Sequence, residues 1–273
     1  MRSALIHRRD GQHLIDNGVS QVLKRTINVN LVLLADGIMG KRIAAYLIEN
    51  YPSDIGTVVT VADNEITKLC RAAQIKTFRF VSEKSAMAQL KDTLFDLGIL
   101  AWWPRIIREE LIALPRRGFF NTHPSLLPHN RGTHPNFWAL VEQAPFGVTL
   151  HQVNEAIDSG PIVAQHRIPY DWTDTGETLY SKAKAAIFKL FVETYPKLRL
   201  GEIPSIPQDL SLGSFHRSSE LDPASRFDLD GKYTARDILN RLRARTFRGH
   251  PACWFEDNGE TFEVRVEITR KST

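Results

Sequence analysis

The chain is poor in cysteine: its 273 residues include only Cys70 and Cys253, far apart and without metal-ligand spacing around either. That excludes a disulfide framework and predicts two buried free thiols in a reducing compartment. It also lacks long apolar runs, none approaching the roughly 18 residues of a membrane-spanning helix, and residues 1 to about 27 carry no h-region or cleavage site. A cytoplasmic protein with no membrane partner is expected. Charge of one sign is scarce too, with 35 Lys+Arg against 31 Asp+Glu and a net +4. Such a surplus suits an anionic ligand but is too weak and dispersed for a nucleic-acid surface. The densest basic run, Arg241, Arg243, Arg245 and Arg248, lies near the end. Gly37-Ile38-Met39-Gly40 lacks the Gly-x-Gly-x-x-Gly spacing that brings backbone against a pyrophosphate, so it reads as a strand-to-helix turn. His129, His134 and His151 have no paired or helical ligand spacing, and no metal is expected.

What the chain does have is alternation of short apolar runs with amphipathic segments. Asn30 to Ala35, Thr57 to Ala62, Lys76 to Phe80, Asp96 to Trp102 and Gly118 to Thr122 read as buried strands. Helices are expected after each of the first four, including Ser82 to Leu94 and Ile106 to Ala113. This is the signature of βαβ units: an α/β, Rossmann-like, mostly parallel sheet with helices on both faces. Beyond it, Thr133 to Gln143 reads as a helix. Gly147 to Val153 and Pro161 to Ile168 form a hairpin, and Thr178 to Pro196 is a covering helix. Residues 201–227, rich in Pro and Gly, read as an irregular connector. A helix from an N-cap Thr234 and two alternating segments then predict a small C-terminal α+β subdomain. The expected organisation is an extension over 1–27, a catalytic domain over 28–200, and the connector plus subdomain over 201–273.

Ligands bind outside the carboxyl ends of strands in such sheets, and Asn121 and His123 sit at one of these ends. Two residues apart in an extended segment, they point to the same side. Asp158 follows His123 by 35 residues, in an Asp158-Ser159-Gly160 turn at the hairpin tip. A carboxamide can hold an oxyanion and an imidazole can shuttle a proton. A carboxylate can orient that imidazole or take the proton itself. Ser125 reads as a turn former beside Pro124.

Over Leu97 to about Lys184 the chain resembles the folate-dependent formyltransferases. The likeness is carried by Pro104-Arg105-Ile106-Ile107, by Asn121-Thr122-His123-Pro124-Ser125-Leu126-Leu127-Pro128, by Arg131-Gly132, by Gly147 to His151, and by Asp158-Ser159-Gly160-Pro161-Ile162. The resemblance implies that Asn121, His123 and Asp158 are catalytic and that N10-formyltetrahydrofolate is the co-substrate. It further implies folate contacts at Arg105, Ile106, Ile107, Val153, Asn154 and Ile157. Two departures from the family pattern are Asn130, where an aromatic residue is frequent, and the Trp102-Trp103 pair. That pair either walls a ligand pocket or packs on the sheet.

Phe215-His216-Arg217, Asp228-Leu229-Asp230, Leu239 to Ala244 and Gly249-His250-Pro251-Ala252 look like the tail of the sugar-nucleotide N-formyltransferases. About 45 residues follow Phe227, too few for the β-barrel of a tRNA formyltransferase. The implied acceptor is therefore a nucleotide-linked amino sugar, such as a dTDP-amino sugar of O-antigen synthesis. Arg131 and Lys182 are candidates for its phosphates, and His134, Trp138 and Tyr180 for its sugar pocket. A homodimer is implied as well. The competing readings are formyl transfer to glycinamide ribonucleotide or methionyl-tRNA, a formyltetrahydrofolate deformylase, and a folate binder without transferase activity.

Overall fold

Alternate residues of the first strand serve two different cores, and this sets the architecture. In β1 (Leu31–Ala35) every residue is buried. Leu31, Leu33 and Ala35 face one hydrophobic cluster, whereas Val32 and Leu34 face another on the opposite side of the sheet. A strand covered on both faces needs this continuous apolar run. The structure, a computed structural model, describes residues 29–271; the extension expected over 1–27 lies outside the described residues.

The main sheet has seven strands in the order β3-β2-β1-β4-β5-β7-β8. Strands β2 (Ile55–Thr60), β3 (Thr77–Arg79), β4 (Leu97–Ala101) and β5 (Phe119–His123) run parallel with β1. Strands β7 (Gly147–Gln152) and β8 (Ile162–Arg167) add an antiparallel hairpin on the β5 side. One face is covered by α1 (Gly37–Asn50), α2 (Glu65–Ala72), α5 (Pro135–Val141) and the 23-residue α6 (Gly176–Leu198). The other face receives Ala86 and Leu90 of α3 (Glu83–Leu90) and Leu111 of α4 (Glu109–Ile112). The Rossmann-like, mostly parallel sheet with helices on both faces is as the alternation predicts.

Three expectations need correction. The helix expected over Ile106 to Ala113 shrinks to Glu109–Ile112, because Arg108, its N-cap, is extended and Arg105 to Ile107 before it line a cavity instead. The helix expected over Ser82 to Leu94 ends at Leu90. The connector is not wholly irregular. It contains β9 (Phe215–His216), paired in parallel with β6 (Arg131–Gly132), and α7 (Leu221–Ser225). The chain closes with α8 (Ala235–Arg245), capped by Thr234, and the hairpin β10 (Cys253–Asp257) and β11 (Glu260–Val264).

Both cysteines are free and buried, and burial pushes their thiols up to about 11 for Cys70 and about 12 for Cys253. No helix among the described residues is long and apolar enough to cross a membrane.

Candidate active site

Strand β5 ends in Phe119-Phe120-Asn121-Thr122-His123, and its antiparallel neighbour sets Asn121 opposite His151 and His123 opposite Thr149. Opposed residues of such a pair share a face and lie within side-chain reach. Thr122, on the other face, donates its hydroxyl to the Leu100 carbonyl at 3.2 Å and fixes the strand end. The loop after His123 is anchored by Thr149, whose hydroxyl donates to the Ser125 carbonyl at 2.7 Å and accepts from Leu127 N–H at 3.2 Å. The β7–β8 pairing is irregular between Leu150 and His151, a local break of the kind common beside binding sites.

Asp158 is the electrostatic centre. Its Oδ1 lies 3.5 Å from His123 Nδ1 and 3.6 Å from His151 Nε2, and its Oδ2 accepts the Gly132 N–H at 3.0 Å. Burial opposes ionisation of this carboxyl. The two histidines and the Gly132 N–H outweigh it and hold the group well below the usual carboxylate range. Burial lowers the His123 imidazole below its ordinary 6.5; Asp158 and the Asn130 backbone pull upward and His151 adds to the lowering. Asp158 does support the protonated form of His123, but burial wins, so a neutral imidazole faces an ionised carboxylate at neutral pH. The Nε2 of His123 is buried and has no hydrogen-bond partner.

Asn121 Nδ2 lies 3.4 Å from His151 Nε2, and His151 Nδ1 lies 2.9 Å from the Gln152 carbonyl. A carbonyl only accepts, so Nδ1 carries a hydrogen, while Nε2 lies within reach of both the Asn121 amide and Asp158 Oδ1. His151 had no place in the trio read from the sequence. The signal for it was the alternation of Gly147 to Val153, which becomes informative once the register with β5 is known.

A cavity of about 310 Å³ gathers these groups. Asn121, His151 and Asp158 form one part of its wall; Arg105, Ile106, Ile107, Val153, Asn154 and Ile157 form another, with Trp103 and Thr133 beside them. His123 does not line it and reaches it through Asp158. Trp103 packs edge-on against Phe80, whereas Trp102 packs against Tyr180, so the tryptophan pair divides between pocket wall and core.

A second cavity, of about 400 Å³, begins at the next residue of the chain. His134 and Tyr180 line it, as do Arg245, Phe247 and His250 from the C-terminal segment. Burial, with Arg245 and His250, keeps the His134 imidazole below its ordinary value. The other candidates for acceptor contacts fall elsewhere. Trp138 is a correction: it is buried, packed in the core, and stacked on His216 with ring centres 3.8 Å apart, and lines neither cavity. Lys182 pairs with Asp174 at 2.7 Å, also outside both. Arg131 lies with its guanidinium carbon 6.0 Å from the Phe215 ring and its Nε buried without a partner.

The connector supplies what the sequence did not signal. Gln208 Nε2 donates to the carbonyls of Asp158 at 3.0 Å and Gly160 at 2.6 Å, holding the hairpin tip from outside. Among the described residues no group of three or more His, Cys, Asp or Glu side chains could hold a metal ion.

The family model described as formyl transferase matches residues 40–195, and that of the N-formyltransferase dimerization C-terminal domain matches residues 220–270. A sugar N-formyltransferase from a Shewanella species superposes with a TM-score of 0.76 at 22% identity, over 89% of this chain and 99% of that one. A 4-N formyltransferase from Francisella tularensis gives 0.74 at 20%, over 89% and 99%. An N-formyltransferase from Helicobacter canadensis, solved with folinic acid and dTDP-3-aminofucose, gives 0.69 at 18%, over 85% of each chain. At these identities the likeness to the solved structures is one of fold.

Proposed function

The chain belongs to the formyl transferase family, and we propose that it moves the formyl group of N10-formyltetrahydrofolate onto the amine of a nucleotide-linked amino sugar. The observation that carries this reading is the pairing of two adjoining cavities. Consecutive residues Thr133 and His134 each line one of them, with Asn121 and Asp158 on the wall of the first. The first cavity fits the folate. Leu100, Trp103, Ile107 and Val153 offer an apolar wall for a flat pterin, the backbone from Val153 to Asp158 offers polar groups at its edge, and the Trp103 indole N–H is buried without a partner. The second fits the acceptor, since Arg245, His134 and His250 are cationic or protonatable groups beside the Tyr180 and Phe247 rings. Phosphates call for such donors, and a base or sugar ring for such aromatic walls.

In the reaction the acceptor nitrogen bonds to the formyl carbon, the bond from that carbon to folate nitrogen breaks, and one proton passes from acceptor to folate. Asn121 donates an amide hydrogen to the oxygen that becomes negative. His123, neutral at pH 7, takes or returns the travelling proton by way of Asp158, whose carboxylate joins it to the cavity and compensates the resulting imidazolium. No covalent nucleophile is required.

The acceptor class draws support from the C-terminal match at 220–270 and from the Helicobacter relative, whose bound ligands are a folate and a dTDP-linked amino sugar. Purified protein given N10-formyltetrahydrofolate and a panel of nucleotide-linked amino sugars should release tetrahydrofolate and yield an N-formyl sugar nucleotide by mass spectrometry. No turnover with any of them would overturn the acceptor. Formate released without an acceptor would instead indicate deformylation.

A further inference from the structure

The motif Phe215-His216-Arg217 takes no part in the chemistry above, yet its histidine sits between two carboxylates. His216 is 8% exposed. Its Nε2 lies 2.8 Å from Glu142 Oε1 and its Nδ1 3.1 Å from Glu220 Oε2. A neutral imidazole has one N–H and one lone pair, while an ionised carboxylate only accepts. Both contacts are hydrogen bonds only if both ring nitrogens carry hydrogen. Glu142 is committed to the acceptor role, because its Oε2 takes Asn130 Nδ2 and the Ser214 hydroxyl, each at 2.8 Å. Glu220 Oε1 accepts the Arg217 N–H at 3.2 Å. The Trp138 ring lies parallel to the imidazole at 8° with centres 3.8 Å apart, a face suited to a cation. The remaining charges facing this cluster are those of Arg217 near Glu220, and of His129 near Glu142 with Arg167 beyond it.

The cluster is wired to the candidate active site by backbone. Gly132 pairs with His216 in the β6–β9 register, Arg131 N–H donates to the Ser214 carbonyl at 3.0 Å, and Thr133 N–H donates to the His216 carbonyl at 3.0 Å. Gly132 in turn gives its N–H to Asp158 Oδ2, and Thr133 and His134 line the two cavities.

We propose that His216, clasped between Glu142 and Glu220, is a positioning residue: it locks β9 to β6 and so fixes the Gly132 N–H that orients Asp158. Loss of either carboxylate contact loosens β6, the strand that leads into Thr133 and His134. For catalysis this rests on the formyl-transfer reading, but the clasp itself can be read without turnover.

The test uses full-length protein with isotope-labelled histidine and glycine. His216→Phe keeps a flat ring against Trp138 and removes both N–H groups; Glu220→Gln removes one charge on the protein's outer side. In the wild type the His216 ring should show two hydrogen-bonded N–H signals by NMR, and in Glu220→Gln the Nδ1 signal should weaken. The Gly132 amide should lose its downfield shift and exchange faster in His216→Phe. With turnover established, His216→Phe should lower kcat by on the order of 10- to 10²-fold, the scale set by misplacing a reacting group, with a smaller change in acceptor KM. A His216 ring without a hydrogen-bonded N–H towards each carboxylate, or a Gly132 amide unchanged in both variants, overturns the clasp whether or not the enzyme acts on sugars. If His216→Phe fails to fold, the ring and amide signals of Glu220→Gln decide alone.

Discussion

At the scale of single residues, the candidate site is a chain of dependent orientations rather than three independent groups. The Gln152 carbonyl holds the His151 ring through Nδ1, and His151 Nε2 packs beside the Asn121 amide, which keeps a hydrogen to meet a developing oxyanion. Asn121→Ala should therefore lower kcat by about 10²- to 10³-fold, the usual loss for one oxyanion donor. His151→Ala should lower it about tenfold through misorientation of the amide. The two losses should not add, because the second acts through the first. Steady-state kinetics on both variants and the double variant test this, and additive losses would mean that His151 has a separate role. His123 gives a pH prediction with a fixed sign. Burial places its folded-state value below the ordinary 6.5, so the folded protein binds fewer protons than the unfolded chain in that window. Its contribution to stability is fully present above pH 6.5 and is lost as pH falls through the lowered value. If neutral His123 is the proton carrier, the acid limb of kcat/KM lies below 6.5; a limb at or above 6.5 would assign it to another group.

At the scale of elements, the segments that bring the site together differ in how far they could be read from sequence. Strands β1, β2, β4 and β5 were legible because burial on both faces leaves a continuous apolar run, as in Leu31–Ala35 and Leu97–Ala101. The hairpin carrying Asp158 was legible from alternation and its Asp-Ser-Gly tip. Strands β6 and β9 were not, since two residues carry no period. What marks them is stereochemistry: Gly132 has φ +89°, and a Cβ there would meet the His216 carbonyl oxygen at 2.2 Å. The same compression surrounds the site in residues that are not glycine, as Trp102, Asn130, His134 and Asp158 all have positive φ. Such backbone persists only where the surroundings hold it. Gly132→Ala combines strain with a clash against backbone, and should destabilise the fold by about 2–3 kcal/mol. It should also weaken the N–H contact to Asp158. Urea denaturation measures the first effect; wild-type stability in this variant would show that β9 yields easily, against the clasp drawn above. Trp138 shows the opposite limit, because an aromatic residue near a site gives the same sequence signal whether it lines a pocket or stacks beneath it.

At the scale of the whole molecule, the C-terminal segment is joined to the sheet by buried polar contacts and then extends into a hairpin with an exposed aromatic pair. Arg243 is 4% exposed and donates to the Asp171 carbonyl at 2.6 Å and the Asp174 carbonyl at 3.3 Å. Its guanidinium lies over the Trp172 ring at 4.7 Å. Gly176 lies against the Ala244 backbone, where a Cβ would approach the carbonyl oxygen at 2.1 Å, so α6 and α8 meet without intervening side chains. Strands β10 and β11 form a two-stranded sheet joined to the connector by a single bridge between Arg226 and Trp254, and their Phe255 and Phe262 rings stack with centres 5.4 Å apart while Phe262 is 42% exposed. A two-stranded hairpin is marginal alone in water, and residues 220–270 match a dimerization domain. We therefore expect a homodimer in which this hairpin face is covered by a second copy. Phe262→Glu would place a charge in that contact and should weaken association by on the order of 10²-fold, about 2–3 kcal/mol. Sedimentation velocity over a range of concentrations reads the shift, and Tm should depend on concentration in the wild type more than in the variant. A wild-type monomer at micromolar concentration, or a Phe262→Glu dimer as tight as the wild type, would move the interface elsewhere. The second cavity shares Arg245 and Phe247 with the end of α8 and the turn that follows it. A dimer that steadies this segment would then also tighten acceptor binding, and acceptor KM in Phe262→Glu should rise while folate KM stays near the wild-type value.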